Sequence, residues 1–104
     1  MKILCVCQKG CVRSVGTKYR LNRRGKFDVV AIGVDTASVG LLSMLCYWAD
    51  KILLAEPVFG EKLPSWAGDK VEPNFTIGPD VYGKAFHPGL QEIIKQQLNG
   101  INLR

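Results

Sequence analysis

The amino-acid sequence predicts a single α/β domain, in which a four-stranded parallel sheet is flanked by helices. The first observation is length, because 104 residues form one hydrophobic core and are too few for two. The second is the order of patterns along the chain. Short apolar runs, typical of strands buried on both faces, alternate with segments of helical periodicity, and parallel neighbours need such crossover helices. The domain is expected to span residues 1–104.

The first half of the chain contains two strand and helix units. The apolar run at residues 3–7 predicts the first strand, and residues 13–24 predict a helix that a glycine follows, as is common at helix C-termini. The nearly continuous apolar run at 27–34 predicts the second strand. A helix is expected over 38–48, because it begins with a serine suited to capping and carries apolar residues on adjoining faces.

The second half predicts two more strands and a closing helix. Residues 51–55 form the third apolar run. Residues 70–77 are expected to form a short fourth strand at the edge of the sheet, interrupted by Pro73. The closing helix is predicted over 88–98, with His87 at its N-cap and a proline in its first turn.

Positive charge is concentrated at the N-terminal end of the chain. The formal net charge is +5, and residues 1–27 contain eight lysines and arginines but no acidic residue. This end of the molecule should attract anions, either a phosphorylated substrate or a nucleic-acid backbone. Nucleic acid is the less favoured partner, because the sequence has no recognition motif in which aromatic residues alternate with basic ones.

The sequence predicts a cytoplasmic protein without a membrane partner. No window approaches the roughly 18 consecutive apolar residues of a membrane span, and the apolar run near the N-terminus is too short for a signal peptide. Three cysteines crowd into seven residues, which favours free thiols over a disulfide framework. The chain has one histidine, and the spacing of its cysteines does not match a zinc site, so no metal is expected. The four cysteines are Cys5, Cys7, Cys11 and Cys46.

The most specific motif follows the first predicted strand. It reads Cys7-Gln8-Lys9-Gly10-Cys11-Val12-Arg13-Ser14, which is a cysteine, five further residues, an arginine and a serine. In an open parallel sheet, ligands bind beyond the carboxyl ends of the strands, where this loop is expected to lie. The motif therefore marks the candidate functional site.

This spacing suits the binding of a tetrahedral anion beside a reactive thiol. A loop of this length at a helix N-terminus can direct successive backbone N–H groups at one centre, and the same field lowers the pKa of Cys7. The planar guanidinium of Arg13 can hold two phosphoryl oxygens at once. Ser14 can donate a hydrogen bond to the thiolate. The other expected substrate-binding residues of the loop are Gln8, Lys9, Gly10, Cys11 and Val12.

The motif resembles the signature loop of the low-molecular-weight protein tyrosine phosphatases, which is C-x5-R-S directly after an N-terminal strand. The predicted order of elements also resembles the four-stranded fold of that family over nearly the whole chain. Members supply a general acid from an Asp-Pro-Tyr-like loop near the C-terminus, where this chain has Asp80-Val81-Tyr82. The resemblance implies that Cys7 is the nucleophile, that Asp80 serves the leaving group, and that Tyr82 walls the substrate cleft.

The chain departs from that family at several positions. It is shorter than usual, and Lys9 and Gly10 stand where typical members have glycine and asparagine. Gly10 can adopt the left-handed conformation that the asparagine adopts. The second loop cysteine is Cys11, one position earlier than in many relatives, and a reversible disulfide with Cys7 is left open. The weaker candidates for the acid are Asp35, Glu56 and His87.

The sequence thus predicts a cysteine-dependent phosphatase that hydrolyses phosphomonoesters through a phosphocysteine intermediate and needs no cofactor. The expected partners are a phosphorylated protein, with phosphotyrosine as the substrate, or a small phosphomonoester. One alternative is a IIB-type phosphocarrier, which does not need Arg13 or Asp80. Others are a thiol-dependent arsenate reductase, in which Cys11 or Cys46 resolves a disulfide, and a degenerate relative that binds phosphate without turnover. Nothing in the sequence indicates an oligomeric state.

Overall fold

The sheet of the protein is built around its first strand. The computed structural model describes residues 1–103 and shows strands β1 (Lys2–Cys7), β2 (Asp28–Gly33) and β3 (Lys51–Leu54). They lie in the order β2-β1-β3, and β1 pairs in parallel with both neighbours. All residues of β1 after the first are buried, which explains its unbroken apolar sequence. The predicted α/β domain with a parallel sheet is confirmed.

Three α-helices connect and follow the strands, and they have the caps that the sequence predicts. Helix α1 ends at Gly25, which adopts a φ of 70°. The Ser38 hydroxyl accepts a hydrogen bond at the start of α2, and His87 does so at the start of α3. None of the helices within residues 1–103 has the length and apolar character needed to cross a membrane. The helices are α1 (Arg13–Arg24), α2 (Val39–Trp48) and α3 (Pro88–Asn99), with 3₁₀ helices at Pro57–Lys62 and Ser65–Lys70.

The prediction of a fourth strand is wrong. In the described part of the chain the sheet has three strands, and residues 70–77 contribute one isolated bridge, between Val71 and Ile52. A turn follows, in which the Phe75 N–H donates to the Glu72 carbonyl over 3.4 Å and the Asn74 N–H donates to Oε2 of Glu72 over 3.0 Å, so the Asn74 N–H does not continue the ladder along β3. Pro73 occupies the position of this turn that proline favours. The chain next hydrogen-bonds this edge at the carbonyl of Ala55. The segment therefore covers the edge of β3 without forming a strand.

Helices α1 and α3 pack together, and a buried side chain of α3 anchors the segment that precedes this helix. Gln91 on α3 is buried, and its Nε2 donates to the carbonyls of Gly16, 3.2 Å away, and Ala85, 2.8 Å away. A Cβ on Gly16 would lie 2.8 Å from the Ala85 oxygen, so glycine is needed for this close approach. This contact anchors Ala85 in the segment before α3. The same segment contains Asp80. The largest fully buried apolar side chains of the core are Ile3, Leu4, Leu21, Ile52, Leu53, Leu90, Ile94 and Leu98.

Candidate active site

The loop of residues 8–12 connects β1 to α1 and passes directly over the end of β2. Two glycines permit this path. Gly10 has a φ of +77°, and a Cβ on it would lie 2.7 Å from the Gly33 nitrogen. A Cβ on Gly33 would lie 2.2 Å from the carbonyl carbon of Lys9. The left-handed conformation expected of Gly10 is therefore present, and Gly33 is an equally strict requirement of the loop.

Side chains after β2 anchor the same loop. Nε2 of Gln8 donates to the Asp35 carboxylate over 2.9 Å, and the Asp35 amide donates to the Gln8 carbonyl over 2.9 Å. Oγ1 of Thr36 donates to the Lys9 carbonyl over 3.2 Å. Asp35, a weaker candidate for the general acid, is thus placed beside Gln8. Its carboxylate helps to hold the loop.

The sulfur of Cys7 lies at the N-terminal end of α1 among hydrogen-bond donors. Its Sγ is 3.0 Å from the Ser14 hydroxyl and accepts the Gly10 N–H over 3.1 Å. Burial would raise the pKa of the Cys7 thiol, but the hydrogen bonds from Ser14 and Gly10 and the charge of Arg13 outweigh it, so this pKa is lowered. In contrast, burial raises the pKa of the Cys5 thiol. The environment of Cys7 therefore favours a thiolate, the nucleophilic form of cysteine.

The backbone of the loop offers further donors. Within residues 1–103, the N–H groups of residues 9, 11, 12 and 13 donate to no acceptor, whereas that of Gly10 donates to sulfur. Most backbone N–H groups in folded proteins are paired, with water or ligands where not with protein. The unpaired amides lie at the start of α1, where the helix dipole is positive. This part of the loop can bind an anion.

Arg13 is almost fully buried, and one edge of its guanidinium group has no partner. Its Nη1 donates to Glu56 Oε2 over 2.5 Å and to the Gly78 carbonyl over 2.7 Å. The ring of Phe59 lies 5.3 Å below the guanidinium carbon. Nε is buried and has no hydrogen-bond partner in the described residues. The Nη1 side is therefore fixed, and the edge formed by Nε and Nη2 is available to an anion with two oxygen atoms.

A cleft of about 260 Å³ is lined by seven of the ten predicted site residues. Asp80 lies at this cleft with the loop, although the two are far apart in sequence. Ser14 and Gly10 do not line it, but both hydrogen-bond the sulfur of Cys7. The lining residues are Cys7, Gln8, Lys9, Cys11, Val12, Arg13 and Asp80.

Tyr82 lies outside the lining of the cleft. Its ring is 5.4 Å from the ring of His87, which caps α3. Its backbone N–H donates to Oδ1 of Asp80 over 3.3 Å. In this structure Tyr82 therefore touches the candidate acid through its backbone, and His87 is engaged in capping a helix.

The sequence did not predict the two side chains that contact the Arg13 guanidinium. Glu56, considered as a weaker candidate for the acid, is the ion-pair partner of Arg13, and Phe59 lies against the same guanidinium. Glu56 comes two residues after the end of β3. Because the structure places β3 beside β1, the residues after both strands meet at one edge of the sheet.

The other thiols and the metal-ligating side chains are spread apart. All four cysteines are free, and the exposed Cys11 directs its Sγ at the Lys9 carbonyl, 3.6 Å away. Among residues 1–103, no group of three or more His, Cys, Asp and Glu side chains could hold a metal ion.

A cavity beside the 3₁₀ helices is mostly apolar, and Glu72 is the one ionisable residue that lines it. The cysteine with a lowered pKa and with the Gly10 N–H donating to its sulfur is Cys7, at the cleft.

Comparison with known proteins supports the fold. No protein-family model and no curated protein sequence matches the chain. Among solved structures, it is similar to the YwlE arginine phosphatase from Geobacillus stearothermophilus, with a TM-score of 0.64 and 16% sequence identity. The similarity covers 99% of each chain. At this identity it shows that the two proteins share one fold along their whole length.

Proposed function

We propose that the protein is a cysteine-dependent phosphatase of the low-molecular-weight protein tyrosine phosphatase type. The observation that carries this proposal is the pairing of Cys7 with Arg13 in one cleft. The thiol of Cys7 has a lowered pKa, and the guanidinium of Arg13 is buried with its Nε unpartnered. A tetrahedral phosphoryl group supplies the oxygen atoms that this edge and the loop amides lack. The shared fold with an arginine phosphatase supports the proposal.

The first step of the proposed reaction is attack on phosphorus by the Cys7 thiolate. The S–P bond forms as the P–O bond to the leaving group breaks, which leaves a phosphocysteine. The free edge of Arg13 and the unpaired loop amides hold the non-bridging oxygens and stabilise the charge of the transition state. Once Cys7 is ionised, the Ser14 hydroxyl 3.0 Å away donates to the sulfur, which stabilises the thiolate before attack and again when it leaves phosphorus.

Asp80 is proposed as the general acid and base. It lines the cleft that contains the sulfur, and the Tyr82 N–H holds one of its oxygens. Asp80 protonates the oxygen of the leaving group in the first step. In the second it accepts a proton from the water that attacks phosphocysteine, and inorganic phosphate and the free thiolate result.

Phosphotyrosine in proteins is the substrate that we propose from the resemblance of the loop. Phosphoarginine is a second candidate, favoured by the name of the structural neighbour. Both present the same tetrahedral phosphoryl group to Cys7 and Arg13, and they differ in the leaving atom, which is a phenolic oxygen or a guanidine nitrogen. Turnover of peptides with one or the other phosphorylated residue distinguishes them.

The experiment that tests the function is turnover of an aryl phosphate by the purified protein. Cys7→Ser is expected to abolish phosphate release, because the hydroxyl of serine is not ionised near neutral pH. Arg13→Lys is expected to lower kcat/KM by about 100-fold or more, since a lysine cannot hold two oxygens. Asp80→Asn should lower kcat by about 100-fold. Asp69→Asn is the matched control, as it makes the same change at an exposed residue that does not line the cleft, and should retain activity.

Each alternative has its own outcome in this experiment. Phosphate release that survives Cys7→Ser would remove the proposed mechanism. A stable phosphocysteine without turnover would favour a phosphocarrier. Reduction of arsenate that depends on added thiol and on Cys11 or Cys46 would favour an arsenate reductase. Phosphate binding without either reaction would identify a degenerate relative.

A further inference from the structure

A groove with four cationic side chains lies at the far end of α1 from the candidate active site. It forms a cavity of about 360 Å³ between α1 and α3. None of the four cations has an ion-pair partner within residues 1–103. At about 1.5 Å per residue, Arg24 lies about 16 Å along the helix axis from Arg13, so this groove is separate from the cleft. Its lining residues are Arg20, Arg23, Arg24, Lys95 and Asn99.

A buried glutamine side chain holds the Arg20 guanidinium in position. Nε of Arg20 donates to Oε1 of Gln91 over 2.9 Å. Gln91 is itself buried and fixed by the carbonyls of Gly16 and Ala85. The terminal nitrogens of Arg20 make no hydrogen bond within the described chain. A cation fixed in this way loses less conformational entropy when an anion binds.

Two aromatic residues continue the groove beyond Arg20 and Arg23. These two arginines also line a neighbouring cavity of about 320 Å³, with Tyr19 and Phe86. The two rings meet edge to face with their centroids 4.7 Å apart, and the Arg23 guanidinium lies 5.8 Å from the Tyr19 centroid. Phe86 is 61% exposed. The groove therefore joins an exposed aromatic ring to cations that have no ion-pair partner within residues 1–103.

We propose that this aromatic and cationic groove binds nucleotide units, with a base on the exposed ring of Phe86 and phosphate groups along the arginines. Proteins that bind single strands combine a cationic groove with aromatic side chains on which bases stack. Four cations without an ion-pair partner in the described part of the chain exceed what one phosphomonoester needs, so the proposed ligand carries several phosphates. Such a ligand is either a single-stranded nucleic acid or a free nucleoside triphosphate.

The test is fluorescence anisotropy of the full chain with a labelled 12-residue deoxythymidine strand that has no terminal phosphate. We expect binding that weakens as salt increases. Arg23→Gln should weaken it and reduce the slope of log Kd against log salt concentration by about 0.7. Phe86→Ala should weaken it by about five-fold or more and leave the slope unchanged. Both side chains are exposed, and thermal melting confirms that the variants are folded.

The control is Lys62→Gln, which removes the same charge from an exposed residue of a 3₁₀ helix outside the groove. Its binding should stay within about two-fold of the unaltered protein. Competition by ATP assigns the groove to free nucleotides, and failure of ATP to compete assigns it to strands. The proposal is overturned if the unaltered protein does not bind at low salt, or if Lys62→Gln weakens binding as much as Arg23→Gln. No step of this test requires phosphatase activity, so it is independent of the proposed function.

Discussion

Arg13 combines the structural cost of a buried charge with an unpartnered edge on which the proposed function depends. A buried charge destabilises a protein unless it is paired, and here Nη1 is paired with Glu56 while Nε is not. The ion pair orients the guanidinium group, and the unpartnered edge is left for a ligand. At Cys7, too, neighbouring groups compensate the cost of burying a charge, because the hydrogen bonds to the sulfur stabilise the charged form of a thiol that burial alone would keep neutral.

Glu56→Gln is predicted to lower both stability and activity. The amide keeps the size of the side chain but loses the charge that pairs with Arg13. Hydrogen bonds to charged groups contribute about 1.5–3 kcal/mol, so urea unfolding should show a loss at the low end of this range, since Glu56 is partly exposed. The value of kcat/KM should fall by about ten-fold or more as the guanidinium becomes less well positioned. Glu61→Gln, on an exposed residue nearby, should change neither. If Glu56→Gln behaves as this control does, the ion pair has no role in positioning Arg13.

The lowered pKa of Cys7 makes a prediction about pH. Because the folded protein stabilises the thiolate, its contribution to stability is fully present above the pKa of the unfolded thiol, near the ordinary value of 9.0, and is lost as pH falls through the lower folded pKa. Alkylation of Cys7 by iodoacetamide, followed by mass spectrometry, should therefore have its midpoint below pH 9.0. Ser14→Ala removes a hydrogen bond to sulfur and should move the midpoint upward.

Ser65→Ala provides the control for that measurement, since it removes an exposed hydroxyl far from the sulfur in sequence. Its alkylation midpoint should equal that of the unaltered protein. An unchanged midpoint in Ser14→Ala would mean that the Ser14 hydroxyl does not stabilise the thiolate. The lowered pKa of Cys7 would then depend on the backbone amides of Ser14 and Gly10 and on the charge of Arg13.

At the scale of elements, the sequence predicted best where one local pattern decides the structure. The buried run of β1 and the capped helices α1 and α3 are present as predicted. Residues 70–77 are apolar enough to predict an edge strand, but a turn between Glu72 and Phe75 ends the ladder after one bridge. The pairing of Glu56 with Arg13 needed the strand order, which depends on long-range packing. The contact between Tyr19 and Phe86 needed the docking of α3, which no local pattern encodes.

The crossing of the loop over β2 leads to a prediction about Gly33. Gly33→Ala would place a Cβ 2.2 Å from the Lys9 carbonyl carbon, so the loop must move. We expect a loss of about 1–3 kcal/mol in the free energy of unfolding and a large loss of aryl phosphatase activity, since the Gly10 amide would shift from the sulfur. Gly40→Ala is the matched control, because a Cβ there meets nothing within 4 Å. It should be neutral or slightly stabilising in α2. Equal effects of the two substitutions would show that the close approach does not constrain the loop.

At the scale of the whole molecule, the charge distribution and the topology act together. The basic N-terminal segment includes β1, the loop and α1, and the parallel sheet places their junction at the edge where ligands bind. Arg13 and Lys9 face the cleft, while the arginines near the end of α1 line the separate groove. One sequence segment therefore supplies positive charge at two ends of the molecule. A phosphorylated substrate that approaches the cleft should be attracted before it makes contact.

This attraction predicts that activity depends on ionic strength through Lys9. The Debye length is about 10 Å at 0.1 M salt, so added salt screens an exposed lysine at the rim of the cleft more than it screens the buried Arg13. The value of kcat/KM for a dianionic aryl phosphate should therefore fall as sodium chloride is raised at constant pH. Lys9→Gln should lower kcat/KM at low salt by a few-fold and flatten its salt dependence, whereas Lys62→Gln, with the same change in net charge, should leave the slope almost unaltered. Parallel slopes for the two variants would show that attraction arises from the total charge of the molecule and that the position of Lys9 at the cleft contributes nothing.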